Sequence, residues 1–135
     1  MMFRLLDAAF KSYETRTLHE ADFVILDRNN KTLGLERKTV ADFLASTADK
    51  RLKTQIPRCL DVYDYTAVIL EGRWDIDGTL ITTPRRKLGW DARPFWGKLF
   101  SLQTDGRVII EITPDMRGTV MMLEMLTRRA LSRGW

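Results

Sequence analysis

Two apolar runs constrain the fold most: YTAVIL at residues 65–70 and VIIEI at residues 108–112. Neither alternates strongly between apolar and polar positions. A strand that lacks this alternation is buried on both faces, as parallel strands covered by helices are. Between the runs, residues 94–103 carry Phe95, Leu99 and Leu102 at helical spacing. Parallel neighbours need such a crossover. The chain is therefore expected to be an α/β domain with a mixed central β-sheet flanked by helices.

The antiparallel part of that sheet comes earlier. Asp22 to Asp27 and Lys31 to Lys38 read as a strand hairpin around Arg28-Asn29-Asn30, because asparagine tolerates the left-handed conformation that tight turns require. Thr39 to Ser46 follows as a short helix with Thr39 as its N-cap. Ahead of the hairpin, Phe3 to Ser12 has a helical stripe and Glu14 to Leu18 is a short strand candidate. Lys50 to Tyr63 is amphipathic, with Leu52, Ile56, Leu60 and Tyr63 on one face and Arg51, Gln55 and Arg58 on another. Pro57 is expected to kink or break it and to open a second helix. Residues 73–93 are turn-rich and charged, and read as a long mobile excursion. Thr113-Pro114 is expected to start the last helix, with Pro114 as its first residue. In that helix Met116, Val120, Met121, Met122, Leu123, Met125 and Leu126 cover more than one stripe. A helix apolar nearly all round is buried on more than one side. One side would cover the sheet, and the other suits a second subunit, so a homodimer through this Met-rich helix is expected.

A length of 135 residues suits one domain with one core, spanning 1–135. No apolar run reaches the ~20 residues that cross a bilayer, and the first residues carry no cleavable leader pattern. Cys59 alone cannot form an intramolecular disulfide, and with His19 as the one histidine a Cys/His zinc site is excluded. An intracellular, cytoplasmic location follows as the default. The net charge of +4 is unevenly spread. Lys50, Arg51, Lys53 and Arg58 form one basic cluster without an acid. Arg85, Arg86, Lys87, Arg93 and Lys98 form another against Asp91 alone. Two such clusters in a short chain favour a polyanionic partner.

The chemistry gathers at the hairpin. Strand side chains alternate faces, so Glu36 and Lys38 share one face while Arg37 joins Leu33 and Leu35 on the other. If the loop is Arg28-Asn29-Asn30, Asp27 opposes Lys31 and Asp22 opposes Glu36. If the loop is Asn29-Asn30 alone, Asp22 opposes Arg37 and joins the wrong face, because a one-residue slip flips the whole strand. In the first register two carboxylates and an ammonium meet at one end of the hairpin. Facing carboxylates repel unless a cation lies between them. Mg²⁺ or Mn²⁺ suits oxygen ligands of this kind, completed by substrate phosphate, and would polarise a phosphoryl group. Lys38 would orient the attacking water or stabilise charge on the phosphorane. Glu-x-Lys alone is an ordinary surface pair; Asp22 in the facing strand is what raises the pattern above that.

The stretch ADFVILDRNNKTLGLERKTVADFLAST resembles the nuclease domain of the xeroderma pigmentosum group F (XPF) type structure-specific endonucleases. The signature of that family is Gly-Asp, a variable spacer, Glu-Arg-Lys, three residues and Asp. Asp22, Glu36-Arg37-Lys38 and Asp42 stand in those places. Arg51-Leu52-x-x-Gln55 resembles the helix motif after the signature, and Ile69-Leu70-Glu71-Gly72 the end of the next strand. The resemblance runs from about Leu18 to Gly72, and more loosely to the last helix. The resemblance implies a restriction-endonuclease-like fold and a Mg²⁺- or Mn²⁺-dependent endonuclease acting on branched or flapped DNA in repair or recombination. It implies that Asp22, Glu36 and the Arg37 main-chain carbonyl hold metal, that Lys38 is catalytic alongside Asp22 and Glu36, and that Asp42 supports the site. The expected DNA-binding residues are Arg37, Arg51, Lys53, Gln55, Arg58, Arg85, Arg86 and Lys87. The family also dimerises through this domain.

Three departures stand out. Ala21 replaces the glycine. The strand carrying an Asp-x-Arg-Glu element is expected to be missing, the chain starting with the helix that would follow it. No helix–hairpin–helix module fits. A minimal, stand-alone version of this kind suits a phage or prokaryote. A catalytically weak or inactive DNA- or partner-binding module on the same fold is the alternative, as is a resolvase or repair nuclease of the wider restriction-enzyme-like group. Glu71, ending a buried strand, is a candidate for a further acid near the site. Trp90 and Trp96, among Arg85, Arg86, Lys87 and Arg93, could stack an unpaired base. The plainer expectation is that Trp96 joins Phe95, Leu99 and Phe100 in the core.

Overall fold

The computed structural model describes residues 21–48, 51–85, 87–104 and 106–135, with only the backbone described at 47, 48 and 51–53. The expected helix at 3–12 and strand at 14–18 lie outside the described residues. No helix among them is long and apolar enough to cross a membrane.

The hairpin consists of β1 (Phe23–Leu26) and β2 (Thr32–Thr39), antiparallel, with Phe23 opposite Leu35 and Leu26 opposite Thr32. One further pair closes it, Asp27 N–H to Lys31 carbonyl at 2.9 Å. That leaves Arg28-Asn29-Asn30 as the loop. Asn30 N–H returns to the Asp27 carbonyl at 3.0 Å, and Asn30 is left-handed at φ 59°. This is the three-residue hairpin geometry, a tight turn followed by one αL residue. The Asp27 carboxylate collects the N–H groups of Asn29 (2.7 Å), Lys31 (2.9 Å) and Trp135 (2.9 Å). Burial opposes its ionisation, but those three donors outweigh burial and hold the carboxyl below its ordinary value. The C-terminal residue is thereby tied to the hairpin loop.

Then α1 (Val40–Ala48) begins, its N-terminus capped by the Thr39 hydroxyl, which accepts the Asp42 N–H at 3.0 Å. Helix α2 (Arg51–Val62) follows and leads to β3 (Tyr65–Glu71). Pro57 does not break α2. It sits on an exposed position, so the missing hydrogen bond falls on the solvent side while Ile56 and Cys59 stay buried. Gly34 in β2 lets the Tyr63 ring lie against the strand; a Cβ there would collide with Cδ2 of that ring.

Residues 73–93 are not a loose excursion. They form a second, three-stranded antiparallel sheet of β4 (Asp75–Asp77), β5 (Leu80–Thr82) and β6 (Lys87–Asp91). Gly78-Thr79 makes the two-residue turn between Asp77 and Leu80, with Gly78 at φ 64°, the first central position that a type II′ hairpin reserves for glycine. Ile81 anchors this small sheet in the core. Asp91 then caps α3 (Ala92–Gln103) by accepting the Arg93 N–H at 2.9 Å.

Strand β7 (Val108–Thr113) completes the main sheet in the order β1-β2-β3-β7, with β2, β3 and β7 mutually parallel where they pair. The last helix, α4, spans Met116–Ser132. Its cap is Asp115, whose carboxylate accepts the Gly118 N–H at 2.9 Å, so Pro114 precedes the helix rather than opening it. Thr113, before the proline, stays extended in β7.

Two cores cover the two faces of the main sheet. Val68 and Leu70 pack with Val40, Phe43, Leu44, Ile56, Phe95 and Leu99 under α1, α2 and α3. Leu33, Leu35, Ala67 and Ile69 pack with Val120 and Leu123 of α4 on the other face. Helix α4 is not enclosed: Met121 is 69% and Met125 52% exposed, on the side away from Leu123. Nor is α3 apolar-buried throughout, since Trp96 and Phe100 are exposed. Phe95 and Leu99 already fill the available inward stripe.

Candidate active site

The site lies where β2 leaves the hairpin. Strand β1 stops at Phe23, but the register continues to place Asp22 beside Glu36. The Asp22 N–H donates to the Leu35 carbonyl at 2.9 Å, and its Oδ2 accepts the Arg37 main-chain N–H at 2.9 Å. The odd-numbered loop therefore delivers Asp22 to the signature. Within a strand residue, N–H and C=O point to the same edge. The Arg37 carbonyl thus shares the edge on which the Asp22 carboxylate sits.

Glu36 and Lys38 project to the α1/α2 face, alongside Val68 and Leu70 of the paired strand. Lys38 Nζ is 3.2 Å from Glu36 Oε1, and both side chains are mostly buried. Gln55 of α2 reaches across and donates Nε2 to the same Glu36 oxygen at 2.7 Å. Its other amide atom, Oε1, is buried with no hydrogen-bond partner among the described residues. Asp42 stands in the first turn of α1, exposed, where a carboxylate is favoured by the helix dipole.

Arg37 points the other way. Its Nε and Nη2 bond Glu71 Oε1 and Oε2 at 2.8 and 2.5 Å, on the α4 face. Glu71 is thus not a further acid for the Glu36 face: it lies behind the sheet, paired with Arg37. Burial works against its ionisation, but the Arg37 and Thr119 hydrogen bonds and the Arg37 charge hold its carboxyl below the ordinary value. The Glu71 hydrogen bond, set against burial, raises the Arg37 pKa.

Of the other basic candidates, Arg58 is exposed on α2, while the side chains of Arg51 and Lys53 and all of Arg86 lie outside the described residues. Arg85 is exposed, and Lys87 is exposed with its Nζ 3.1 Å from Asp77 Oδ2. Lys87 opens β6, which also carries Trp90, 38% exposed; Trp96 of α3 is 49% exposed and meets Trp74 edge-on at 6.5 Å. The bond from Gln55 to Glu36 has no signal in the sequence. Helical spacing put Gln55 on one stripe with Arg51 and Arg58, but only tertiary packing shows which strand that stripe meets.

The donors at this end of β2 are all oxygens: two carboxylates and a backbone carbonyl, with the unused Gln55 Oε1 nearby. No group of three or more His, Cys, Asp or Glu side chains among the described residues is close enough to hold a metal ion by itself. A hard divalent ion bound by one or two carboxylates, water and substrate phosphate fits this set.

The ERCC4 domain family model matches residues 2–126. Among solved structures, the chain is similar to XPF from Aeropyrum pernix, with a TM-score of 0.73 and 28% identity over 93% of this chain and 58% of that one. It is also similar to XPF from Aeropyrum pernix in complex with DNA, with a TM-score of 0.57 and 32% identity over 71% of this chain and 44% of that one. The chain thus spans about half the length of these relatives. No curated protein matches.

Proposed function

Since the chain belongs to the ERCC4 domain family and has the fold of an XPF-type nuclease domain, we propose that it is a divalent-metal-dependent DNA endonuclease. The observation that carries this reading is the hairpin register, which brings Asp22, Glu36 and Lys38 to one end of β2. Asp22, Glu36 and the Arg37 carbonyl would hold Mg²⁺ or Mn²⁺. The ion would polarise the scissile phosphoryl group and lower the pKa of a coordinated water. Glu36 Oε1 is held by Gln55 and Lys38, and its other oxygen would serve the ion. The Lys38 ammonium would donate to the attacking water or to the phosphoryl oxygen on which charge develops. Asp42 supports the site from the start of α1.

DNA would approach the α2 side. Arg58 and Arg51 flank Gln55 at helical spacing, with Lys53 nearby, and phosphate contacts of this kind dominate affinity. Arg85, Arg86 and Lys87 would add further phosphate contacts, and Trp96, exposed on α3, would stack an unpaired base. Arg37 would act through its main chain, since its guanidinium is committed to Glu71. A branched or flapped substrate in repair, an intracellular setting, a single domain over 1–135 and a homodimer through the Met121/Met125 face of α4 complete the proposal.

The test uses labelled flap, fork, four-way junction and linear duplex DNA with Mg²⁺, Mn²⁺ or chelator. Metal-dependent cleavage favouring the branched forms is expected. Metal-independent binding with no cleavage would leave a binding module on this fold.

A further inference from the structure

Arg37 serves both faces of the sheet. Its main chain lies at the site, with its N–H on Asp22 Oδ2. Its side chain is fixed behind the sheet by a two-point fork on Glu71. Glu71 is 9% exposed and is itself held: Thr119 Oγ1 of α4 lies 2.7 Å from Oε1. Thr113 Oγ1 of β7 is 2.8 Å from Thr119 Oγ1. An ionised carboxylate only accepts, so the Thr119 proton goes to Glu71. Thr113 must then donate to Thr119. The result is a directed chain, Thr113 to Thr119 to Glu71, meeting the Arg37 fork. Both hydroxyls are buried, Thr119 completely. Three residues, from β2, α4 and β7, are thereby tied to the one carboxylate that ends β3.

We propose that Glu71 and Thr119 are positioning residues, which fix the Arg37 peptide so that its carbonyl stands ready beside Asp22. This inference rests on the metal-binding reading above. An Arg–carboxylate fork has a defined plane as well as strength, so it restrains the rotation of the Arg37 backbone that a single bond would leave free. The network also makes α4 part of the site's frame, although no residue of α4 reaches the Glu36 face.

A plain structural pair would affect folding alone, so the test separates metal affinity from stability. Mn²⁺ binding is measured by titration calorimetry on the full chain, with thermal melts in parallel, for wild type, Glu71→Gln, Thr119→Val, Asp22→Asn and the double variant Arg37→Met/Glu71→Met. The double variant replaces both charges with apolar groups of similar length and is expected to melt near wild type. Its Mn²⁺ affinity, and that of Glu71→Gln, should fall about 10-fold. Thr119→Val, which removes the bond to Glu71 and the one from Thr113 but keeps the shape and the Arg37 fork, should lose about 2-fold to 3-fold. In cleavage assays the loss should appear in kcat with little change in KM for DNA. Wild-type Mn²⁺ affinity in folded Thr119→Val and in the folded double variant would overturn the proposal while leaving the site intact. Wild type binding Mn²⁺ no better than Asp22→Asn would instead overturn the metal reading, and this inference with it.

Discussion

Gln55 Nε2 lies 2.7 Å from Glu36 Oε1, on the oxygen that Lys38 also approaches at 3.2 Å. The helix after the signature therefore holds the acid of the signature in place. Replacing Gln55 with Ala frees one side of that carboxylate without changing net charge. A fall in kcat of about 10-fold is expected, the scale of losing an outer partner of a ligand. Steady-state kinetics on one branched substrate check it; a change confined to KM would return Gln55 to a DNA-contact role.

The Glu71 carboxyl is held below its ordinary value of 4.5. A group whose pKa is depressed by folding contributes stability that is present above its unfolded value and is lost as pH falls through the folded one. Wild type should thus lose stability as pH drops below about 4.5, and Glu71→Gln should be less stable at neutral pH but flatter in that acid range. Denaturant melts from pH 7 to pH 3 measure this directly. Parallel curves for the two proteins would show that Glu71 is not the group responsible.

Asn30 occupies the left-handed region at φ 59°. A β-branched residue resists that conformation, so Asn30→Val should cost about 1–2 kcal/mol, while Asn30→Gly should be close to neutral. Equal stabilities for Val and Gly would mean that the loop has rearranged, and with it the register that delivers Asp22.

Met121 and Met125 lie one helical turn apart on the open side of α4. If that face meets a second copy of the chain, Met121→Asp should turn a dimer into a monomer in sedimentation. Wild type sedimenting as a monomer would remove the dimer from the proposal.

Trp96 is half exposed and touches Trp74. Trp96→Ala should weaken binding to DNA with an unpaired strand by about 1–3 kcal/mol and leave duplex binding largely unchanged. Fluorescence anisotropy on paired and unpaired oligonucleotides separates the two.

These relationships differ in how far the chain alone discloses them. The hairpin register is local: Arg28-Asn29-Asn30 supplies the αL residue, and that choice alone decides the face of every later side chain. The parallel pairing of 65–71 with 108–113 follows from two unalternating apolar runs. The face of Glu71 does not follow, because a strand buried on both sides has no alternation to read; only its pairing with β2 places it beside Arg37. The small sheet at 75–91 is signalled by Asp77-Gly78 between Ile76 and Leu80, but its strands are too short for a clear period. Trp96 and Phe100 look like core by size, yet Phe95 and Leu99 already occupy the inward stripe of α3. At Pro57 the rule against proline in helices yields because the position faces solvent.

On the reading proposed above, Asp22, Glu36 and Lys38 form one phosphodiester-cleaving centre. Single-turnover cleavage of a flap substrate in Mg²⁺, with wild type, Asp22→Asn, Glu36→Gln and Lys38→Ala matched for melting behaviour, tests it most directly. Each substitution should lower the rate by about 100-fold or more, and chelator should abolish wild-type cleavage. Wild-type rates in any folded member of the three would mean that these residues do not act as one cleaving centre.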